Sequence, residues 1–257
     1  MCGRFALTHS FEEMVDWYNL IVPANNNEMA PPPRYNIAPT QPIMMIENGQ
    51  KGRRHMLVRW GLMPGWVKEP DKFTLLINAR SETSAEKPSF RNAMRHRRML
   101  VPVSGFYEWR RTGKISQPYW VRPRAGGLMT IGGLMETWAG ADGTEIDTGC
   151  LLTTHANESF SQIHHRLPVI LRPRDFDQWL DCMNNEPRHV AGLMQPVDDD
   201  YLEAIPVSDL VNKVANSGVE IQSPVELASE ADAAEDQAKS KKKHTLKKED
   251  DDQLSMF

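Results

Sequence analysis

The chain has little of several things that would settle its class at once. No stretch approaches the run of about 18 apolar residues that spans a membrane. The first residues lack the basic and apolar regions of a secretory signal. A soluble, cytoplasmic protein with no membrane partner is therefore expected. Cysteine is scarce: Cys2, Cys150 and Cys182 are the only three, too few and too widely spaced for a disulfide framework or a zinc site. No metal or other cofactor is expected. An excess of positive charge is missing too, with 30 basic against 34 acidic side chains in 257 residues, whereas a basic footprint marks most nucleic-acid binders. Part of the deficit is local. From Glu226 to the end there are nine acidic and six basic residues, which leaves residues 1–225 nearly neutral. Any phosphate track must come from clustering: Arg53, Arg54 and Arg59, then Arg91, Arg95, Arg97, Arg98, Arg110 and Arg111. A solvated face explains those clusters equally well.

What is present begins at Met1-Cys2-Gly3-Arg4. Removal of Met1, which a small second residue permits, leaves Cys2 with a free α-amine and a thiol on adjacent carbons. Their reference pKa values, about 8 and about 8.5, make both partly deprotonated near neutrality. Such an aminothiol traps aldehydes: the amine condenses to an imine, the sulfur adds to the imine carbon, and a five-membered thiazolidine closes. A cysteine is nonetheless inert in most surroundings, so the rest of the chain has to supply the chemistry.

The remainder reads as a β-rich domain with short helices, α+β in class. Residues 4–8 suggest a short strand. Ser10 and Glu13 form a capping box before a helix whose Phe11, Met14, Val15 and Tyr18 share one face. Residues 23–33 are a polar, proline-rich loop, and 35–41 look irregular. Strands are expected over 43–47 and 55–60, with Asn48-Gly49 as the hairpin turn. Trp60 and Trp66 lie among Gly and Pro, as core plugs or as platforms on which a base stacks. Residues 74–77 read as a strand ending in the polar cluster Asn78-Ala79-Arg80-Ser81-Glu82-Thr83, where a fold presents chemistry rather than packing. A helix over 88–97 and a strand over 99–103 follow. Glu108 then falls within the aromatic strand Phe106-Tyr107-Glu108-Trp109. It is either a solvent-facing carboxylate or a desolvated one suited to proton transfer. Strands over 119–121, 128–135 and 151–154 complete the middle. A helix over 158–163 delivers His164-His165, and a strand over 169–171 follows. Two adjacent His cannot share a face as a metal pair, although either can carry a proton near neutrality. Short helices over 175–183 and 188–194 close the domain. Beyond about residue 225 the composition is Ala, Glu, Asp, Lys and Ser, too polar to order itself.

With Cys2, Asn78, Glu108 and His164 in view, the chain resembles the SRAP-domain (SOS response-associated peptidase) family over about residues 2–200. The resemblance rests on Cys2-Gly3-Arg4, Tyr35-Asn36-Ile37-Ala38-Pro39-Thr40, Arg59-Trp60-Gly61-Leu62-Met63-Pro64, the Asn78–Thr83 cluster, Gly105-Phe106-Tyr107-Glu108-Trp109 and His164-His165-Arg166-Leu167-Pro168. Leu167 stands where many relatives carry Met, a volume-conserving exchange. The resemblance implies a mixed fold with a barrel-like core; with the change of composition near residue 225, a single domain over 1–225 is expected, as a monomer. It also implies covalent capture of abasic sites in single-stranded DNA by a Cys2 thiazolidine, with weak lyase or Met1-directed peptidase activity, in a DNA-damage setting. Cys2, Asn78, Glu108 and His164 would be catalytic. Arg4, Arg80 and Arg166 would face phosphates, and Trp66 and Trp109 would lie near unstacked bases.

Residues 226–252 are expected to form a disordered tether with an r.m.s. reach of about 30 Å. The basic run at 239–248 within it could hold nucleic acid non-specifically. The tether ends in Gln253-Leu254-Ser255-Met256-Phe257, which resembles the pentapeptide that binds the bacterial DNA sliding clamp through residues such as Gln253, Leu254 and Phe257. The rival readings are an N-terminal-nucleophile cysteine hydrolase or peptidase using Cys2, and a non-catalytic single-strand-binding module.

Overall fold

The computed structural model describes residues 2–22 and 32–227. The expected tether from residue 228 onward, its basic run, the terminal Gln253, Leu254 and Phe257, Met1, and most of the proline-rich loop lie outside them. Spatial clustering separates Met1–Ser223 from Pro224–Phe257. The first of these units holds all the elements named below.

A closed ring of five strands forms its centre. β1 (Phe5–Leu7) and β2 (Arg34–Ile37) lie outside the ring. β3 (Pro42–Gly49) and β4 (Gly52–Trp60) make a hairpin with Met45 opposite Met56. β5 (Asn78–Arg80) is short. β6 (Arg98–Val103), β7 (Gly105–Thr112), β8 (Ile115–Pro123), β9 (Met129–Ala139) and β10 (Glu145–His155) follow. β10 pairs with β9 along one edge and in parallel with β4 along the other. β4–β3, β3–β6 and β6–β9 complete the circuit. Such closure leaves no free edge where the ring strands overlap. Gly133 and Gly149 let the ring fill tightly: a Cβ on Gly149 would sit 2.5 Å from Met45 Cε, and one on Gly133 would sit 2.7 Å from Val101 Cγ2.

The second sheet runs β12-β8-β7-β1-β2, with β12 (Leu202–Pro206) at its edge. Alternation along β1 sends Phe5 and Leu7 into the main core and Ala6 to the other face. There Ala6 packs with Tyr107, Trp120, Val207, Val211 and Ile221, so residues 207–221 cover the outside of the sheet. Phe5 and Trp60, with ring centroids 5.1 Å apart, join the two sheets.

Helix α1 (Phe11–Tyr18) carries both halves of the expected capping box, and Met14 and Tyr18 are buried. Short helices α2 (Ser81–Ser84), α3 (Arg91–His96), α4 (Glu158–Ser161) and α5 (Phe176–Leu180) lie between strands. Several expected boundaries move. The hairpin turn is Gln50-Lys51 rather than Asn48-Gly49, because Asn48 and Gly49 still pair with Arg53 and Gly52. Residues 34–37 are a strand because β1 offers them an edge. Leu76 makes only a bridge to Leu62, and the strand begins at Asn78, where β10 is open beyond β4. Similarly, the strand expected at 169–171 is β11 (Arg166–Pro168), paired with Thr153–His155. The final short helices over 188–194 are 3-10 turns. Among the described residues no helix is long and apolar enough to cross a membrane.

Candidate active site

The site lies where the N-terminal segment meets the far end of β10. Cys2 precedes β1 and is 1% exposed. Its carbonyl accepts the Asn78 side-chain amide at 2.9 Å. Tyr107 N donates to Arg4 O at 2.8 Å, so the β1–β7 register continues outward and sets Gly3 across from Glu108. Arg4 anchors this segment, donating to Asn36 Oδ1 at 2.7 Å and to Val211 O at 2.8 Å. The Asn36 amide in turn lies within reach of the Val211, Lys213 and Asn216 carbonyls at 3.3, 3.1 and 2.7 Å. Residues 211–216 are thus tied to the base of the site. Composition alone did not indicate a role for that stretch.

Glu108 is 4% exposed on β7, the desolvated carboxylate rather than the solvent-facing one. Burial pushes the Cys2 thiol up, and the Glu108 charge pushes it further. A thiol there stays protonated until a base takes its proton. The same carboxylate favours the protonated form of His164, against the burial that lowers that ring's ionisation. One negative charge therefore acts on both the sulfur and the imidazole.

Asn78 and His164 both depend on β10. Asn78 opens β5, opposite Leu151, and its Oδ1 is buried with no partner among the described residues. His164 follows α4 and is half-buried, stacked on the exposed His165 at 4.3 Å and 27°. Its Nδ1 accepts the Arg166 backbone N–H at 2.9 Å. A backbone N–H can only donate, which assigns the proton of the neutral ring to Nε2. Arg166 O also lies 3.2 Å from Nδ1, ready to accept if that nitrogen gains a proton.

The residues expected to face DNA divide. Arg80 is exposed at the end of β5 and makes no side-chain hydrogen bond or ion pair among the described residues. Trp66 is 58% exposed, held edge-on by Phe73. Trp109 is half-buried and donates Nε1–H to Asn212 Oδ1 at 2.9 Å. Arg4 is engaged as above. Arg166 is buried, with its guanidinium forked on Glu82 at 2.6 and 2.9 Å and on Thr153 O at 2.6 Å. The wider arginine cluster is not a single track. Arg53 pairs with Asp177 and Arg54 with Glu47. Arg98 is 2% exposed and donates to the Trp179, Met94, Asp181 and Asn185 carbonyls. Reading from sequence overlooked Glu82, whose one signal was an acid placed two residues after Arg80 in a segment expected to meet phosphate. Among the described residues no group of three or more His, Cys, Asp or Glu is placed to hold a metal.

Comparison with known proteins gives a consistent result. A family model described as SOS response associated peptidase (SRAP) matches residues 1–214. The abasic site processing protein YoqW of Bacillus subtilis (strain 168) is 37% identical over 222 residues, 86% of this chain and 98% of that protein. The abasic site processing protein HMCES of Gallus gallus is 30% identical over 227 residues, 76% of this chain and 67% of that protein. A crystal structure from Bacteroides thetaiotaomicron matches with a TM-score of 0.76 at 24% identity, over 88% of this chain and 100% of that one, a likeness of fold. With the family match spanning the whole site, from Cys2 to His164, the chain belongs to the SOS response associated peptidase (SRAP) family.

Proposed function

We propose that the protein captures abasic sites in single-stranded DNA covalently, through a thiazolidine closed on Cys2 once Met1 has been removed. The observation that carries this reading is the hold of Asn78 on the Cys2 carbonyl at 2.9 Å, with the buried Glu108 on the strand that pairs with the segment following Cys2. The Glu108 charge also pushes up the Cys2 thiol and favours the protonated His164 ring. The names of the relatives, abasic site processing proteins, support the substrate.

The steps follow from these placements. Abasic deoxyribose exists mainly as a ring-closed hemiacetal. His164 donates its Nε2–H to the ring oxygen as the C1′–O bond opens, and the C1′ hydroxyl proton passes to that oxygen through water, giving the open aldehyde with the imidazole still neutral. The Cys2 amine adds to C1′, and loss of water leaves the imine. Glu108 accepts the thiol proton, and sulfur adds to the imine carbon. The proton passes to the ring nitrogen, so one water is lost overall. Asn78 Oδ1, buried and without a hydrogen-bond partner among the described residues, orients the amine or a sugar hydroxyl. Arg80 meets a flanking phosphate and Trp66 an unstacked base, for which single strands are the natural ligand. Arg4, Arg166 and Trp109 support the site from their protein contacts. Capture protects the strand, and slow elimination from the imine is its lyase side reaction. The terminal Gln253, Leu254 and Phe257, outside the described residues, complete the proposal as a sliding-clamp contact; unchanged clamp affinity in Leu254→Ala and Phe257→Ala variants would remove it.

The test compares protein with Met1 retained and Met1 removed, each mixed with single-stranded DNA holding one abasic site. A heat-stable adduct from the processed form alone supports the reading. Equal adduct from both forms overturns it, since the blocked amine cannot form the imine.

A further inference from the structure

We infer that Glu82 is a positioning residue for His164, acting through Arg166; the inference rests on the proposed capture chemistry. Arg166 serves the site at two places. Its backbone N–H enters His164 Nδ1 at 2.9 Å, and this leaves Nε2 as the proton-bearing nitrogen. Its guanidinium, with the side chain only 10% exposed, is gripped from two sides. Thr153 on β10 accepts through its carbonyl at 2.6 Å, with its hydroxyl oxygen at 3.3 Å. Glu82 accepts both Nη groups at 2.6 and 2.9 Å. Glu82 belongs to α2, which follows directly on β5 and Asn78. One carboxylate thus connects the strand of Asn78 to the segment of His164.

Glu82 has a side chain that is 45% exposed, and a pair exposed at both ends would be of little consequence. This pair is bidentate, and removing its acid leaves a buried guanidinium without its counter-charge, which a protein relieves by moving the cation. Arg166 is 8% exposed and its guanidinium is also held by Thr153 O, so packing leaves it little room to swing by rotation of the side chain alone, and the relaxation passes into the backbone that carries the N–H. When that donor shifts, Nδ1 is no longer obliged to accept. The neutral ring then divides between tautomers, and a fraction of molecules carries the proton on the nitrogen facing the backbone rather than on Nε2. While forked, the two Nη groups of Arg166 are held by Glu82 and Thr153.

Two measurements on Glu82→Gln separate this inference from the reading it rests on. The first is the imidazole 15N spectrum of His164 in the free protein, assigned by the signals missing from His164→Asn. Wild type should show an unprotonated Nδ1 and a protonated Nε2, and Glu82→Gln should move toward a mixture. The second is single-turnover capture of an abasic site, with affinity for intact single-stranded DNA measured in parallel. The capture rate should fall about tenfold or more, part of the roughly 10²–10⁴ that a placed acid supplies, with affinity unchanged. Arg166→Lys, which keeps the backbone N–H but loses the fork, should reproduce both effects and serves should Glu82→Gln not fold. An unchanged tautomer in the folded variants overturns the inference, whatever happens to capture. Lost DNA affinity with an unchanged tautomer also overturns it and makes Arg166 a phosphate ligand. A shifted tautomer in a protein whose wild type forms no adduct upholds the positioning and rejects the capture chemistry.

Discussion

The side-chain amide of Asn78 donates to the backbone carbonyl of Cys2 across 2.9 Å. It fastens the segment bearing the thiol to a strand that pairs in parallel with β10. The same side chain turns its buried oxygen elsewhere, with no hydrogen-bond partner among the described residues. One end of the amide therefore holds the Cys2 backbone, and under the proposed capture the other end would meet the reacting partner.

Asn78→Ala should consequently lose both functions. The hydrogen bond contributes about 1 kcal/mol net, so thermal stability should fall only slightly. Capture should slow about tenfold, the factor that about 1.4 kcal/mol off the transition state represents. Single-turnover kinetics beside a thermal melt check this. A large loss of stability with an unimpaired rate would make Asn78 a packing residue.

Replacing Glu108 by Gln gives a prediction with a definite sign. Its charge raises both the Cys2 thiol and the His164 imidazolium, so both titrations should move down in Glu108→Gln. The thiol becomes more acidic, yet capture should slow by about 10²–10⁴, because the group that relays its proton is gone. NMR titration of His164, thiol titration and adduct kinetics together test this. Faster capture in the variant would show that thiolate supply, not proton relay, limits the reaction.

Glu82 makes a prediction about acid stability. The hydrogen bonds from Arg166 hold its carboxyl below the usual carboxylate range. The stabilisation is therefore fully present above the unfolded value of about 4.3 and is lost as pH falls through the lower folded value. Wild type should exceed Glu82→Gln in stability at neutral pH, and their denaturation midpoints should converge in acid. A gap independent of pH would contradict the assignment.

These contacts explain what could be read in advance. The capping box at Ser10 and Glu13 is local chemistry, and it formed as expected. The apolar runs of the middle strands likewise announced the β-rich core. Glu108 was ambiguous because period-two alternation says that a residue faces one side, not what covers that side. Residues 207–221 cover the outer face of its sheet, and their own sequence gives little sign of it. The strand starts at Asn78 and Arg166 follow where β10 has open edges, a matter of long-range pairing. Arg98 looked like part of a surface cluster, but it takes four backbone carbonyls in the interior, which spacing cannot show.

Gly105 links packing to the site, since it opens the strand of Glu108. A Cβ there would lie 2.5 Å from both Val121 O and Trp120 Cη2. The carbonyl belongs to the paired strand and cannot turn aside. Gly105→Ala should cost about 1–3 kcal/mol, lowering the melting temperature by about 2–4 °C per kcal/mol. It should slow capture through displacement of Glu108. Unchanged melting would show that β7 and β8 separate freely at this point.

The most direct test of the central claim uses intact mass with a denaturing gel, on protein confirmed to lack Met1 and single-stranded DNA carrying one abasic site. Wild type should give a heat-stable adduct at the summed mass less one water. Cys2→Ala should give none without a reductant, because its amine can form only a hydrolysable imine. A heat-stable adduct of the same kind from Cys2→Ala, or none from wild type, would contradict capture through a Cys2 thiazolidine.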